Sequence, residues 1–401
     1  MTPAKDLWRP HRALLLYANA GLFCDGYILS GIGLALVTLT PQMHLNGAQI
    51  GLMGAITLFG ILAGAAVFGH AADRYGRRIL MIADLAVFVV ASLLQIAATQ
   101  YWELIILRCI LGVAIGADYP IAGALIAEAV PNRIRGAALN TLQVTWFLGA
   151  AVAYVVGYAL LATGANSWRW ILASPAIFAA AGLLLRASAP ESALWIARRI
   201  EQRRPANPRT MFRPPYAGRL TFVSAMWLLQ VVPLFAVYTF APDVLTALGV
   251  RGGNSPIGSV LITLAFLIGA IISLPLVERW GRRPLCIAGF AIASAAFGVL
   301  IMHTPVIVVP AFIVYAIAIG AAAGLELVYP SELFPTEVRA TATGFAAAVS
   351  RIGAFIGTFV LPLSLTRFGT AKVMAAAAAL SLCGLAIALR WAPETRGTEL
   401  T

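Results

Sequence analysis

Twelve apolar runs, each long enough to cross a bilayer, dominate this chain and leave it few other ways to fold. A hydrocarbon core about 30 Å thick needs roughly 20 apolar residues per helix. Runs of that size fall at about 13–39, 47–71, 79–98, 103–129, 138–162 and 168–187. Six more follow at 219–246, 254–277, 284–302, 305–330, 341–363 and 371–391. Only 11% of the residues are charged, against roughly 25% in a soluble domain. The pattern predicts an all-α membrane protein of twelve helices in two six-helix bundles. These are residues 1–187 and 219–401, joined by a polar linker over 188–218 with an amphipathic helix at about 192–203. The first run is far longer than a signal-peptide core and has no small-residue cleavage site, so it reads as a retained helix. Cys24, Cys109, Cys286 and Cys383 all lie inside apolar runs, which argues against a disulfide framework or a metal site.

The net charge of +12 comes from short arginine clusters between the runs, not from basic helices interleaved with aromatics. That distribution is membrane topology and excludes a nucleic-acid footprint. With the N-terminus inside, Lys and Arg number twenty-two in the inner loops and tails and four in the outer loops. Arg186 is counted among the inner set, and Arg108 and Arg351 lie within spans. Both termini are therefore expected in the cytoplasm, in an inner (plasma) membrane.

The chain repeats itself. GHAADRYGRR at 69–78 returns as LPLVERWGRR at 274–283, EAVPNRIRG at 128–136 as ELFPTEVRA at 332–340, and PESALW at 190–195 as PETRGTEL at 393–400. Three motifs at offsets of 203–205 residues identify a duplicated six-helix unit.

These motifs resemble the major facilitator superfamily over essentially the whole chain. Gly69-x-x-x-Asp73-Arg74-x-Gly76-Arg77-Arg78 matches its signature loop between helices 2 and 3. Glu128-x-x-Pro131-x-x-x-Arg135-Gly136 and the PES and PET segments resemble the sugar-porter and metabolite–proton-symporter branches. Arg108-x-x-x-Gly112-x-x-x-Gly116-x-Asp118-Tyr119-Pro120 looks most like helix 4 of phosphate and organic-acid symporters. The resemblance implies a cytoplasmic gate built from Gly69, Asp73, Arg74, Gly76, Arg77, Arg78 and Arg282. Glu128 would pair with Arg135 and Glu332 with Arg339. The plainer reading is that these arginines only enforce topology. In one respect the chain departs from its relatives: the helix-1 pattern Asp-x-Tyr-Asp is here Asp25-Gly26-Tyr27-Ile28, without its second acid.

Ionisable residues inside a membrane are expensive and are functional candidates by default. Asp25, Asp118 and Arg351 fall near mid-membrane, Glu326 lies closer to the cytoplasm and Arg108 closer to the outer face. Asp84 and Asp243 lie nearer span ends and read as interfacial. The membrane charges are not duplicated: Arg108 maps onto Phe312, Asp118 onto Ala322 and Arg351 onto Phe147. Structural motifs repeat while these charges do not, as expected of groups that serve a ligand and a coupling ion. The alternative is buried ion pairing between helices, for instance Asp25 with Arg108.

A carboxylate in low dielectric holds a proton more readily, which makes Asp25, Asp118 and Glu326 proton-carrier candidates. Arg351 keeps its charge and offers a bidentate fork to an anion, with Arg108 as a second cationic candidate. Tyr27, Trp146, Trp227, Tyr238 and Phe355 fall in helices that line the cavity of this superfamily, and Gln143 and Gln230 add hydrogen-bonding ends. The expected function is proton-coupled symport of a small organic anion, an aromatic or heteroaromatic carboxylate, by a monomer without cofactor. Phosphate, sugar or polyol, and drug transport by proton antiport are the alternatives. A sensor would add a soluble domain. An enzyme would need a nucleophile–base pair, metal cluster or phosphate loop, and His11, His44, His70 and His303 are scattered.

Overall fold

A computed structural model describes residues 11–75, 77–187, 208–249, 254–302, 305–334 and 336–396. Twelve helices are long and apolar enough to cross a membrane. They are α1 (Arg12–Met43), α2 (Gly47–Tyr75), α3 (Arg77–Ala97), α4 (Tyr101–Ala129), α5 (Asn132–Leu161) and α6 (Ser167–Ala187). The second six are α7 (Tyr216–Thr239), α8 (Asn254–Arg279), α9 (Arg282–Leu300), α10 (Val306–Leu333), α11 (Thr336–Phe368) and α12 (Thr370–Trp391). No strand occurs among the described residues. The expected amphipathic helix at 192–203 lies outside them.

Local chemistry sets several helix ends. Glu103 accepts the backbone N–H of Thr99 (2.7 Å) and Gln100 (3.0 Å), capping the start of α4. Gly281 precedes α9 with φ +95, where a Cβ would collide with the Glu394 carboxylate. Three spans are interrupted: α6 at Ser174 before Pro175, α7 at Phe240 before Pro242, and α10 at Gly324.

The two bundles pack in the same way. In the first, α1 packs on α5, α2 on α4 and α3 on α6; in the second, α7 packs on α11, α8 on α10 and α9 on α12. Small residues set the α2–α4 approach. Gly60 and Gly64 meet the backbone of Cys109–Val113, and Gly112 and Gly116 meet the carbonyls of Thr57 and Ile61. The second bundle repeats the device with Gly269 against Ile317 and Gly320 against Phe266. The bundles meet along α2–α11, α5–α8 and α1–α7. Burial ranks the spans: 83, 71, 72 and 61% of the apolar windows of α1, α4, α7 and α10 are buried, against 39 and 33% for α3 and α12.

One ionic cluster ties four helices of the first bundle together. Arg186 on α6 donates to both oxygens of Asp118 on α4 (2.9 and 3.0 Å) and both oxygens of Asp84 on α3 (3.1 and 3.0 Å). Its remaining hydrogens reach the carbonyls of Tyr17 on α1 and Met81 on α3, both at 2.8 Å. All three side chains are buried. The pair runs directly against α1 at Gly21, where a Cβ would overlap Asp118 Oδ2 and Arg186 Nη2. Two expectations are corrected here. Arg186 is not a loop cation but turns inward from the last turn of its helix, and Asp84 is not interfacial but shares its guanidinium. A buried arginine near a helix end has to find carboxylates, and these two lie within reach.

The second bundle lacks the cluster. Gly289 and Ala322 occupy the positions of Asp84 and Asp118 in the repeat and pack directly on each other, while Arg390, matching Arg186, is exposed. Removing one partner of a buried ion pair typically costs about 3–5 kcal/mol. Arg186→Met is therefore expected to lower the unfolding temperature of the purified protein by many degrees. Arg351→Gln, which breaks no ion pair, should leave it nearly unchanged. Equal unfolding temperatures for the two variants would show that the cluster is not holding the bundle together.

Candidate functional site

The candidate site forms where the two bundles meet, around Arg351 on α11. Its side chain is 2% exposed, and Nε and Nη1 have no hydrogen-bond partner. The guanidinium lies 5.1 Å from the ring of Tyr119 (α4), 5.2 Å from Phe235 (α7) and 6.0 Å from Trp227 (α7). Aromatic faces stabilise a cation while leaving its N–H edge free for an acceptor. A small cleft opens beside it, lined by Ile61, Ala65, Gly116, Tyr119, Trp227, Leu327, Thr343 and Arg351. Five helices from both bundles contribute to it.

An aromatic tract leads away from Arg351. Phe235 contacts Trp146 (5.9 Å), which packs on Tyr238 (5.6 Å) and Phe147 (5.1 Å). Phe147 stacks on Phe266 at 5.3 Å across the α5–α8 seam, and Phe266 meets Tyr315 of α10 at 5.8 Å. The tract carries buried donors without partners, Trp146 Nε1, Gln230 Nε2 and Tyr315 Oη, and the Trp227 indole lies against the Glu326 carboxylate. Gln230 follows Trp227 by three residues on the same face of α7. Gln143 on α5 is also buried. Arg351, Trp146, Trp227, Gln230 and Gln143 thus remain together as candidates.

Other expected ligand residues are placed differently. Tyr27 turns into the first bundle, where its hydroxyl bonds Ser174 Oγ of α6 (2.8 Å) and its ring packs on Phe178 (4.9 Å). Tyr238 receives the Ser30 hydroxyl of α1 (2.7 Å), and its carbonyl receives the Tyr154 hydroxyl of α5 (2.5 Å). Its polar groups close the α1–α7 contact. Phe355 packs on Phe59 of α2 at 5.8 Å and stacks on Phe359, sealing the α2–α11 contact. Arg108 is 1% exposed with Nε and Nη2 unpartnered, and no ion pair with Asp25 is formed among the described residues.

The three acids also separate. Asp118 is committed to Arg186. Asp25 is fully buried, both its oxygens lack partners, and its charged surroundings are Asp118, Asp84, Arg186 and Arg351. It lies one helical turn from the Gly21 notch, on the same face of α1 as the ionic cluster. Glu326, two residues past the break in α10, is 4% exposed with Oε1 unpartnered, and Arg351 is its charged neighbour. Phe235, Phe266 and Arg186 were missed from sequence. Phenylalanines inside apolar runs resemble lipid-facing ones, and Arg186 sits where a topology-setting loop arginine would.

At the arginine-rich end, Arg282 donates to Glu332 (2.6 and 3.1 Å) and Glu278 (3.2 and 3.3 Å). Glu332 also accepts the Thr395 hydroxyl at 2.5 Å, so among the described residues its partners are Arg282 and Thr395. Arg135 reaches this cluster only electrostatically, through Glu332, and its Nε is unpartnered. Arg78 donates to the Ala187 carbonyl (2.9 Å), and Arg283, its counterpart in the repeat, to Leu389 (3.0 Å). Asn140 of α5 donates to Ser273 of α8 (2.5 Å) and lies where a Cβ on Gly324 would sit, so the bundles also touch at this end. The side chains of Gly69, Asp73, Arg74, Gly76, Arg77, Glu128 and Arg339 lie outside the described residues.

The family model of the Major Facilitator Superfamily matches residues 19–358. YaaU of Escherichia coli (strain K12), which carries a metabolite-transport name, is 37% identical over 97% of this chain and 94% of its own length. The inner membrane metabolite transport protein YgcS of the same organism is 30% identical over 94% of this chain and 90% of its own. The structure of the proton:xylose symporter XylE of E. coli superposes with a TM-score of 0.82, at 20% identity and 97% coverage of both chains, which speaks to the fold alone. The chain belongs to the major facilitator superfamily. It is a multi-pass membrane transporter, not an enzyme.

The PET segment has a defined structural task. Glu394 accepts the backbone N–H of Arg282 (3.0 Å), Arg283 (3.1 Å) and Arg396 (2.9 Å), tying the chain after α12 to the start of α9. Partial burial works to raise its pKa, but these three N–H groups outweigh it and hold the carboxylate below its ordinary value. The stabilisation is therefore fully present above the unfolded pKa and is lost as pH falls through the lowered folded value. Glu394→Gln should unfold at a lower temperature than the parent at pH 7, and the difference should shrink as the pH falls through the lowered folded value. A difference that does not shrink on acidification would mean that the charge is not the cause.

Proposed function

We propose that this transporter is a proton-coupled symporter of a small organic anion, an aromatic or heteroaromatic carboxylate. The observation that carries the reading is Arg351. It is a buried guanidinium with two free donor nitrogens, three aromatic neighbours and no carboxylate in ion-pair contact among the described residues. A permanently charged group left unpaired out of water is costly, and an incoming carboxylate would satisfy it in bidentate fashion. The aromatic tract from Phe235 to Tyr315 favours a flat organic body over an inorganic oxyanion.

Asp25 is assigned as the proton carrier. It is the buried carboxylate with both oxygens free, and the ionic cluster beside it carries two acids for one arginine. Asp118, committed to Arg186, positions the helices instead of carrying the proton. Taking up an anion at Arg351 with a proton at Asp25 adds no net charge to the bilayer interior, which keeps reorientation inexpensive. Breakable contacts at the two ends, Ser30–Tyr238 on one side and Asn140–Ser273 with the Arg282 cluster on the other, suit alternating access. The arginine distribution supports cytoplasmic termini in an inner membrane, and the proposal takes the two bundles, joined by the 188–218 linker, to work as a single chain.

Arg351→Gln should bind aromatic carboxylates at least about 100-fold more weakly, with an unchanged unfolding temperature; retained affinity sinks the anion assignment. Asp25→Asn, reconstituted in vesicles, should lose accumulation driven by a proton gradient yet keep substrate exchange. Undiminished accumulation would remove Asp25 from the coupling role.

A further inference from the structure

Glu326 is the buried acid that neither the ionic cluster nor the proton pathway uses. It lies on α10 next to Leu327, which lines the cleft, and its surroundings, Trp227, Arg351 and Tyr119, are themselves cleft residues. Yet no ion pair joins it to Arg351 among the described residues, and Glu326 Oε1, Arg351 Nε and Arg351 Nη1 all lack partners. Arg351 lines the cleft and Glu326 lies beside its residues, each with a hydrogen-bonding atom that has no partner and with Trp227 beside both.

A free acceptor atom and a free donor edge beside one cleft are complementary to a ligand that presents both. The ligand's carboxylate would meet Arg351, and an O–H or N–H on the same flat body would meet Glu326. We infer that the substrate is a hydroxyl- or amino-bearing aromatic carboxylic acid and that Glu326 is the residue that selects for its second polar group. This rests on the reading of Arg351 as the carboxylate ligand. An unsubstituted acid would leave Glu326 Oε1 unsatisfied. A methoxy group, which cannot donate, would do the same. Leaving a buried acceptor unsatisfied corresponds to about a 10- to 100-fold loss in affinity.

The test uses the purified full-length protein, with binding read by thermal shift and titration calorimetry. The probes are benzoate, 3- and 4-hydroxybenzoate, 4-aminobenzoate and 4-methoxybenzoate. The wild type should bind at least one donor-bearing acid about 10- to 100-fold more tightly than benzoate or the methoxy compound. Glu326→Met should lose that gain while binding benzoate within about threefold of the wild type. Glu326→Gln, which retains a neutral acceptor, should fall between them and guards against misfolding of the first variant. Binding of benzoate with no gain from any donor, or a gain that survives both substitutions, overturns the role of Glu326 and leaves Arg351 standing. Failure of every aromatic carboxylate to bind overturns the Arg351 reading and this inference with it.

Discussion

A guanidinium or carboxylate taken out of water into an apolar bundle has to find an opposite charge, and this requirement organises the molecule. Arg186 meets it completely: Asp84, Asp118 and two backbone carbonyls use its donors, and three other helices are fixed against α6 as a result. Arg351, at similar burial, does not meet it. The first arginine holds a bundle together. The second, left incomplete by the protein, is where a ligand has something to gain.

The duplicated sequence makes the contrast sharper. Both halves use the same glycine contacts to bring paired helices together, Gly64 and Gly116 in one and Gly269 and Gly320 in the other. Both also anchor a loop arginine on the end of the sixth helix of their bundle, Arg78 on Ala187 and Arg283 on Leu389. Where the first half holds Asp84 and Asp118, the second has Gly289 against Ala322. The repeat is thus kept where backbone approach decides the fold. It is abandoned where charge is needed, and the site combines asymmetric residues from both bundles on a symmetric frame.

Much of this was legible in the chain. The twelve spans, the duplication and the singling out of Asp25, Glu326 and Arg351 as candidates follow from hydropathy and from the cost of membrane charges. Asp118 looked equivalent to Asp25 from sequence because depth along a helix says nothing about which face a side chain presents. Tyr27 and Phe355 were credible ligand residues by helix number, yet one points to α6 and the other seals α2 against α11. Glu332 is reached by Arg282 from another loop, a partner that the spacing of its own motif does not point to. Long arginine side chains can bridge several ångströms in any direction, so spacing alone ranks such pairs poorly.

Hydropathy and repetition, properties of the chain in order, determined the number of helices, their division into halves and the identity of the membrane charges. Pairing was a tertiary decision. It depends on Arg186 reaching three other helices, on the absence of a side chain at Gly21, and on whether a neighbour leaves an oxygen or nitrogen unused. Energies of buried charges vary steeply with distances of a few ångströms. Sequence therefore specified which groups are costly, and only the packed structure decided which are satisfied and which are left for a ligand.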